Sequence, residues 1–88
     1  MTWILRLARE AGKQFKNLPA DRQALILKHL REMQENPLQG NVKTLKGKQW
    51  KGWYRRRVGD YRIIFSLDRT KLIIDVAAIV LRSEKTYK

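Results

Sequence analysis

Two residues, Gly59 and Asp60, separate two runs rich in aromatic and branched side chains, Trp53 to Val58 and Tyr61 to Leu67. Strand-forming runs joined by a two-residue link that begins with glycine predict a β-hairpin on a type II′ turn. Glycine adopts without strain the positive φ that the first turn position asks for. The turn sets the register: Val58 faces Tyr61, Arg57 faces Arg62, Arg56 faces Ile63, Arg55 faces Ile64 and Tyr54 faces Phe65. Side chains alternate along a strand. Tyr54, Val58, Tyr61, Ile63 and Phe65 therefore share one face with Arg56, while Arg55, Arg57 and Arg62 share the other. The first face is apolar and has to be covered.

The rest of the chain supplies the cover. Trp3 to Leu7 alternates and reads as a short first strand. Leu7, Ala11, Phe15 and Leu18 recur at helical spacing, with Arg9, Lys13 and Lys16 outward, until Pro19 stops the helix. A second helix opens at Ala20-Asp21, where Asp21 is placed to cap it or to favour the positive end of its dipole. Its stripe is Ile26, Leu27, Leu30 and Met33, and Asn36-Pro37 closes it. The short Leu18-Pro19-Ala20 link makes the two helices an antiparallel hairpin. Leu38 to Gly52 is polar and reads as a loop, and Asp68 to Lys71 as a turn. Leu72 to Leu81 is almost continuously apolar, as an inner strand covered on both faces would be. At 88 residues the expectation is a single domain, 1–88, of the α+β class. An N-terminal strand and an antiparallel helical hairpin pack on an antiparallel β-sheet.

Charge narrows the chemistry. Twenty Lys and Arg against eight Asp and Glu give a formal net charge of +12, which points to polyanionic partners. The excess is concentrated: Lys43 to Arg62 holds eight basic residues and one acid, Asp60. Arg57 directly opposite Arg62 is destabilising unless something anionic sits between them. Asp75 is the obvious internal partner for one arginine of this face and cannot neutralise three, so the face reads as a phosphate site. Trp50 and Trp53, flanking Lys51 and Gly52, suit stacking on bases, or, for Trp53, packing at the sheet edge. The absence of cysteine excludes disulfides, thiolate nucleophiles and cysteine-bound zinc. Carboxylates are scattered, so no metal site is expected. The single histidine, His29, flanks a helix stripe and reads as structural or solvent-facing. The N-terminal apolar run is broken by Arg6 before it reaches signal-peptide length. Leu72 to Leu81 contains Asp75 and is about half the length of a spanning helix. A soluble, cytoplasmic protein without a membrane partner is expected.

Leu45-Lys46-Gly47, the run Trp53 to Phe65 with Val58-Gly59-Asp60-Tyr61-Arg62 inside it, Arg82-Ser83-Glu84 and Tyr87 resemble the RelE/ParE toxin superfamily, on its RelE-like mRNA interferase branch. The resemblance spans nearly the whole chain. It implies the toxin of a type II toxin-antitoxin system that enters the ribosomal A site and inhibits translation. There it cuts bound mRNA by attack of a ribose 2′-hydroxyl on the neighbouring phosphate, without a metal or small-molecule cofactor. A cognate antitoxin would wrap and block it. By position, the resemblance implies that Arg55 and Arg57 are the basic pair of the second strand and Arg62 the phosphate-binding arginine. Arg82 matches the strand-end arginine and Tyr87 the C-terminal tyrosine. These five are the expected catalytic residues, and Lys46, Lys48, Lys51 and Lys85 join Arg55, Arg57 and Arg62 as RNA-binding residues. Three departures stand out. The basic pair is lysine in the best-known member, and arginine does not readily give up its proton. Lys85 is a one-residue insertion before Tyr87, and Val80-Leu81 stands where many relatives carry a glycine and a polar or basic residue.

Cleavage through a 2′-hydroxyl needs a base, an acid and stabilisation of charge on the phosphorane. With one histidine and no carboxylate cluster, electrostatics carries most of the work. Arg55, Arg57 and Arg62 orient the phosphate, Tyr87 is the expected base, and Arg82 stabilises the phosphate or assists the leaving 5′-oxygen. The ribosome is expected to position the substrate. Two other readings stay open: a ParE-like DNA gyrase inhibitor, with the same fold and no nuclease chemistry, and a non-catalytic RNA- or ribosome-binding module.

Overall fold

The computed structural model describes residues 2–81. Strand β1 (Ile4–Leu7) leads into helices α1 (Arg9–Lys16) and α2 (Ala20–Glu35). Strands β2 (Val42–Thr44), β3 (Trp53–Val58), β4 (Tyr61–Asp68) and β5 (Ile73–Leu81) follow, with one 3₁₀ turn at Lys48–Trp50 between β2 and β3. The sheet order is β1-β5-β4-β3-β2. Two helices on a five-stranded sheet make the expected α+β fold. The sheet is mixed, however, because β1 pairs with β5 in parallel while the other pairs are antiparallel. The helical hairpin carries the chain from β1 to the opposite edge, and three reversals bring β5 back beside β1 pointing the same way.

The β3–β4 register is the expected one at every rung, from Tyr54 opposite Phe65 to Val58 opposite Tyr61. Gly59 has φ +55° and Asp60 is not among the positive-φ residues, as a type II′ turn requires. The apolar face of this hairpin meets the helices in a core of Val58, Ile63 and Phe65 with Ile74, Val76 and Ile79 of β5 and Ile26, Leu30 and Met33 of α2. Each such buried side chain contributes about 1.5–3 kcal/mol, so it is this face that holds the helices to the sheet.

The helices differ in detail from the sequence pattern. Leu7 belongs to β1 and is 40% exposed, so the α1 stripe reduces to the buried Ala11, with Phe15 and then Leu18, beyond the helix end, packed on the core. The N-cap of α2 is Pro19, whose carbonyl accepts from the amides of Arg22 and Gln23; Asp21 lies inside the first turn. Gln23 reaches back and donates to the carbonyls of Phe15 and Lys16, at 3.0 and 3.2 Å, tying the end of α1 to the start of α2.

Two features of the sheet departed from the expected pattern. The segment read as a loop from Leu38 to Gly52 contains β2, whose three residues pair as Val42 with Arg56, Lys43 with Arg55 and Thr44 with Tyr54. A strand this short has no period to read. In β5, Phe65 faces Val76 and Ile64 faces Ala78, which leaves Ala77 as the extra residue of a β-bulge. Beyond it the alternation is reset: Ile79 packs in the helix-facing core, and Val80 joins Ile64 and Ala78 on the other side. That second cluster is completed by Leu45, Trp50, Trp53 and Ala77, so β5 is covered on both faces. Among the described residues no helix is long and apolar enough to cross a membrane.

Candidate nucleic-acid interface

The face of the sheet turned away from the helices is built from three rungs of cross-strand partners. Nearest the hairpin turn, Arg57, Arg62 and Val80 lie side by side on β3, β4 and β5. The next rung is Lys43, Arg55, Ile64 and Ala78, running from β2 to β5. The third is Trp53, Ser66, Asp75 and Arg6, ending on β1. Directly opposed residues project to the same side with Cβ atoms about 4.5–5.5 Å apart. Four cations, Lys43, Arg55, Arg57 and Arg62, thus adjoin the apolar floor of Ile64, Ala78 and Val80. Over that floor Trp50 and Trp53 meet edge to face, with ring centroids 6.2 Å apart.

Asp75 lies on this face but does not serve the arginine cluster, contrary to expectation. Its parallel-strand neighbour Arg6 takes it in a two-pronged contact, Nε to Oδ1 at 2.9 Å and Nη2 to Oδ2 at 3.2 Å. That hydrogen bond, with the carboxylate's charge, raises the pKa of Arg6. Among the described residues, none of the Lys43, Arg55, Arg57 and Arg62 side chains has a hydrogen bond or a carboxylate partner. Arg62 Nε is moreover buried without any acceptor. Two like-charged pairs, Lys43–Arg55 and Arg57–Arg62, stand on adjacent rungs, an arrangement that destabilises the free protein. The arrangement favours an anion.

Arg56 shows what an arginine of this strand does when it is structural. It points to the helix side, is 6% exposed, and spends its guanidinium on three acceptors. Nε donates to His29 Nδ1 at 3.1 Å, Nη1 to the Gln39 carbonyl at 2.6 Å and Nη2 to Glu32 Oε1 at 3.1 Å. His29 must be neutral to accept that bond; burial, and then the charge of Arg56, lower its pKa, against the opposing pull of Glu32. The structural reading of His29 therefore stands.

This pairing of a helical hairpin with a cationic sheet face has relatives. The model of the ParE toxin of type II toxin-antitoxin systems, parDE, matches residues 5–86. The chain belongs to this family. It is a type II toxin of the RelE/ParE superfamily. A comparison with curated proteins finds no match. Among solved structures, a chain of the RelBE2 toxin-antitoxin complex from Mycobacterium tuberculosis aligns with TM-score 0.82 and 19% identity, over 93% of this chain and 100% of that one. The archaeal RelE–RelB complex from Pyrococcus horikoshii gives 0.80 and 24%, over 96% and 99%. The YoeB/ParE toxin from Agrobacterium tumefaciens gives 0.76 and 17%, over 89% and 96%. At these identities the likeness is one of fold.

In this toxin the structure brings Arg55, Arg57 and Arg62 to one face, as the hairpin register required. Lys46, Lys48 and Lys51 are exposed on the β2–β3 connection, which Leu45 and Trp50 fold onto the same side of the sheet. Arg82, Lys85 and Tyr87 lie outside the described residues. Lys43 was missed as a site residue, although it lies in the basic run; only its pairing with Arg55 puts it on the face. Among the described residues of the toxin, no group of three or more His, Asp or Glu is placed to hold a metal ion. The face can grip phosphate and stabilise negative charge, while Trp50 and Trp53 pack against its apolar floor.

Proposed function

We propose that this toxin is a ribosome-dependent, metal-independent endoribonuclease that cuts mRNA in the ribosomal A site and so inhibits translation. The observation that carries the reading is the Arg57–Arg62 pair, opposed across β3 and β4 with no carboxylate partner among the described residues and with Arg62 Nε buried and unmet. A fold keeps such a pair when an anion sits between the two charges. Arg55, Arg57 and Arg62 bind the phosphate and stabilise charge as the 2′-oxygen attacks. Tyr87 is the base for the 2′-hydroxyl and Arg82 stabilises the phosphate or assists the leaving 5′-oxygen, while Lys46, Lys48, Lys51 and Lys85 hold the flanking RNA. In this reading the chain is one toxin domain, 1–88, that works in the cytoplasm. A cognate antitoxin holds it in check, as the complexes from M. tuberculosis and P. horikoshii suggest for chains of the same fold.

A second reading, inhibition of DNA gyrase without nuclease chemistry, is favoured by the family match itself, which is to the ParE toxin. Primer extension on mRNA from a translation reaction separates the two. Cuts inside A-site codons, lost in Arg82→Ala and in Tyr87→Phe, are the expected result. Uncut mRNA and unimpaired translation, together with inhibited supercoiling by gyrase, would establish the second reading instead.

A further inference from the structure

The ribonuclease reading leaves one chemical role poorly filled. As the 2′-oxygen bonds to phosphorus, the P–O5′ bond breaks and the 5′-oxygen leaves as an alkoxide that needs a proton. The 2′-hydroxyl proton goes to the base, for which the reading uses Tyr87. Every strand residue that the family likeness points to on this face is an arginine, and a guanidinium keeps its proton under biological conditions. A lysine ammonium can hand one over.

Lys43 is such a group, and the fold puts it where it is needed. It sits on the edge strand β2 directly opposite Arg55, so the two side chains project to the same side of the sheet, one rung from Arg57 and Arg62. A lysine on an edge strand discourages edge-to-edge pairing, a task that needs no second cation opposite it. This one instead stands across from an arginine and makes no ion pair among the described residues. Placing it across from a like charge works against stability, beyond what guarding the edge requires. We propose that Lys43 is the general acid of the cleavage step, donating its ammonium proton to the leaving 5′-oxygen. The products are a 2′,3′-cyclic phosphate and a 5′-hydroxyl, and Lys43 regains its proton from water. The assignment rests on the ribonuclease reading and adds to it a residue that the resemblance does not name.

Lys43→Arg keeps the charge and the edge strand but not the transferable proton, and Lys43→Ala removes both. Each is to be compared with wild type on ribosome-bound mRNA, once with a natural A-site codon and once with sulfur replacing the bridging 5′-oxygen at the cut site. A thiolate leaves without protonation. On natural mRNA, Lys43→Arg should bind programmed ribosomes as wild type does yet cut about 100-fold more slowly, the low end of what a general acid provides. On the sulfur-bridged mRNA both variants should cut at the wild-type rate or close to it. Wild-type cleavage of natural mRNA by Lys43→Arg, or an equal defect on both substrates, would overturn the role of Lys43 while leaving the ribonuclease reading intact. A wild-type toxin that cuts neither substrate would remove that reading, and the role of Lys43 with it.

Discussion

Arg56 and Arg62 sit on neighbouring strands of one hairpin, and replacing each by methionine should move stability in opposite directions. Methionine keeps much of the arginine stem, so the change isolates the guanidinium. At Arg62 the loss removes a buried Nε that no acceptor meets, an unmade bond worth about 1–3 kcal/mol. It also removes the repulsion from Arg57. Allowing for some lost stem packing, the free toxin should gain roughly 1–2 kcal/mol, and Tm should rise by about 4–8 °C for each kcal/mol in a domain of this size. At Arg56 the same change deletes three hydrogen bonds, to His29, Gln39 and Glu32. Charged hydrogen bonds are worth about 1.5–3 kcal/mol singly but are not additive, and the desolvation cost of a buried guanidinium is recovered. The Glu32 side chain is 49% exposed and rehydrates once released. A net loss of about 2 kcal/mol follows. Urea unfolding of the three proteins at low and at 1 M salt measures both effects. The Arg62→Met gain should shrink in high salt as the Debye length falls to about 3 Å, because part of it is repulsion between cations. A loss of stability in Arg62→Met, or changes of the same sign at both positions, would refute the division of the hairpin into a structural and an anion-binding face.

Other outcomes follow from the same geometry. Asp75→Asn should cost little stability, since it breaks a solvent-exposed pair with Arg6. The cost should be unchanged in an Arg62→Met background; a double-mutant cycle with appreciable coupling would show that Asp75 serves the arginine cluster after all. His29 has its pKa lowered from 6.5 in the folded state, so the unfolded chain binds its proton more readily. Its contribution to stability is present above pH 6.5 and is lost as pH falls through the lowered value; the urea midpoint should drop on acidification, and His29→Asn should reduce that drop.

Much of the inner architecture was legible because it depends on neighbours in the chain. A two-residue turn determines which residues of β3 and β4 face each other, so Arg56 separates from Arg55 and Arg57 before any tertiary contact is known. Helical spacing likewise gave the stripes that cover the apolar face, with the first helix shorter at both ends than its pattern. Where a feature depended on pairing between distant segments, local pattern carried no information. The three residues of β2 show no periodicity and become a strand only because β3 offers an open edge, so Lys43 stayed hidden within a polar loop. The bulge at Ala77 sends Ile79 inward and Val80 outward, and nothing in Asp75-Val76-Ala77-Ala78-Ile79-Val80 marks which alanine is the extra one. Arg6 takes Asp75 because β1 enters beside β5 in parallel, across a sequence separation of 69 residues. The chain by itself determined that a cationic face would form and which three arginines would stand on it. Tertiary structure decided that Asp75 is already engaged by Arg6, and that a lysine stands beside the arginines, because both follow from strand order and only the folded sheet sets that.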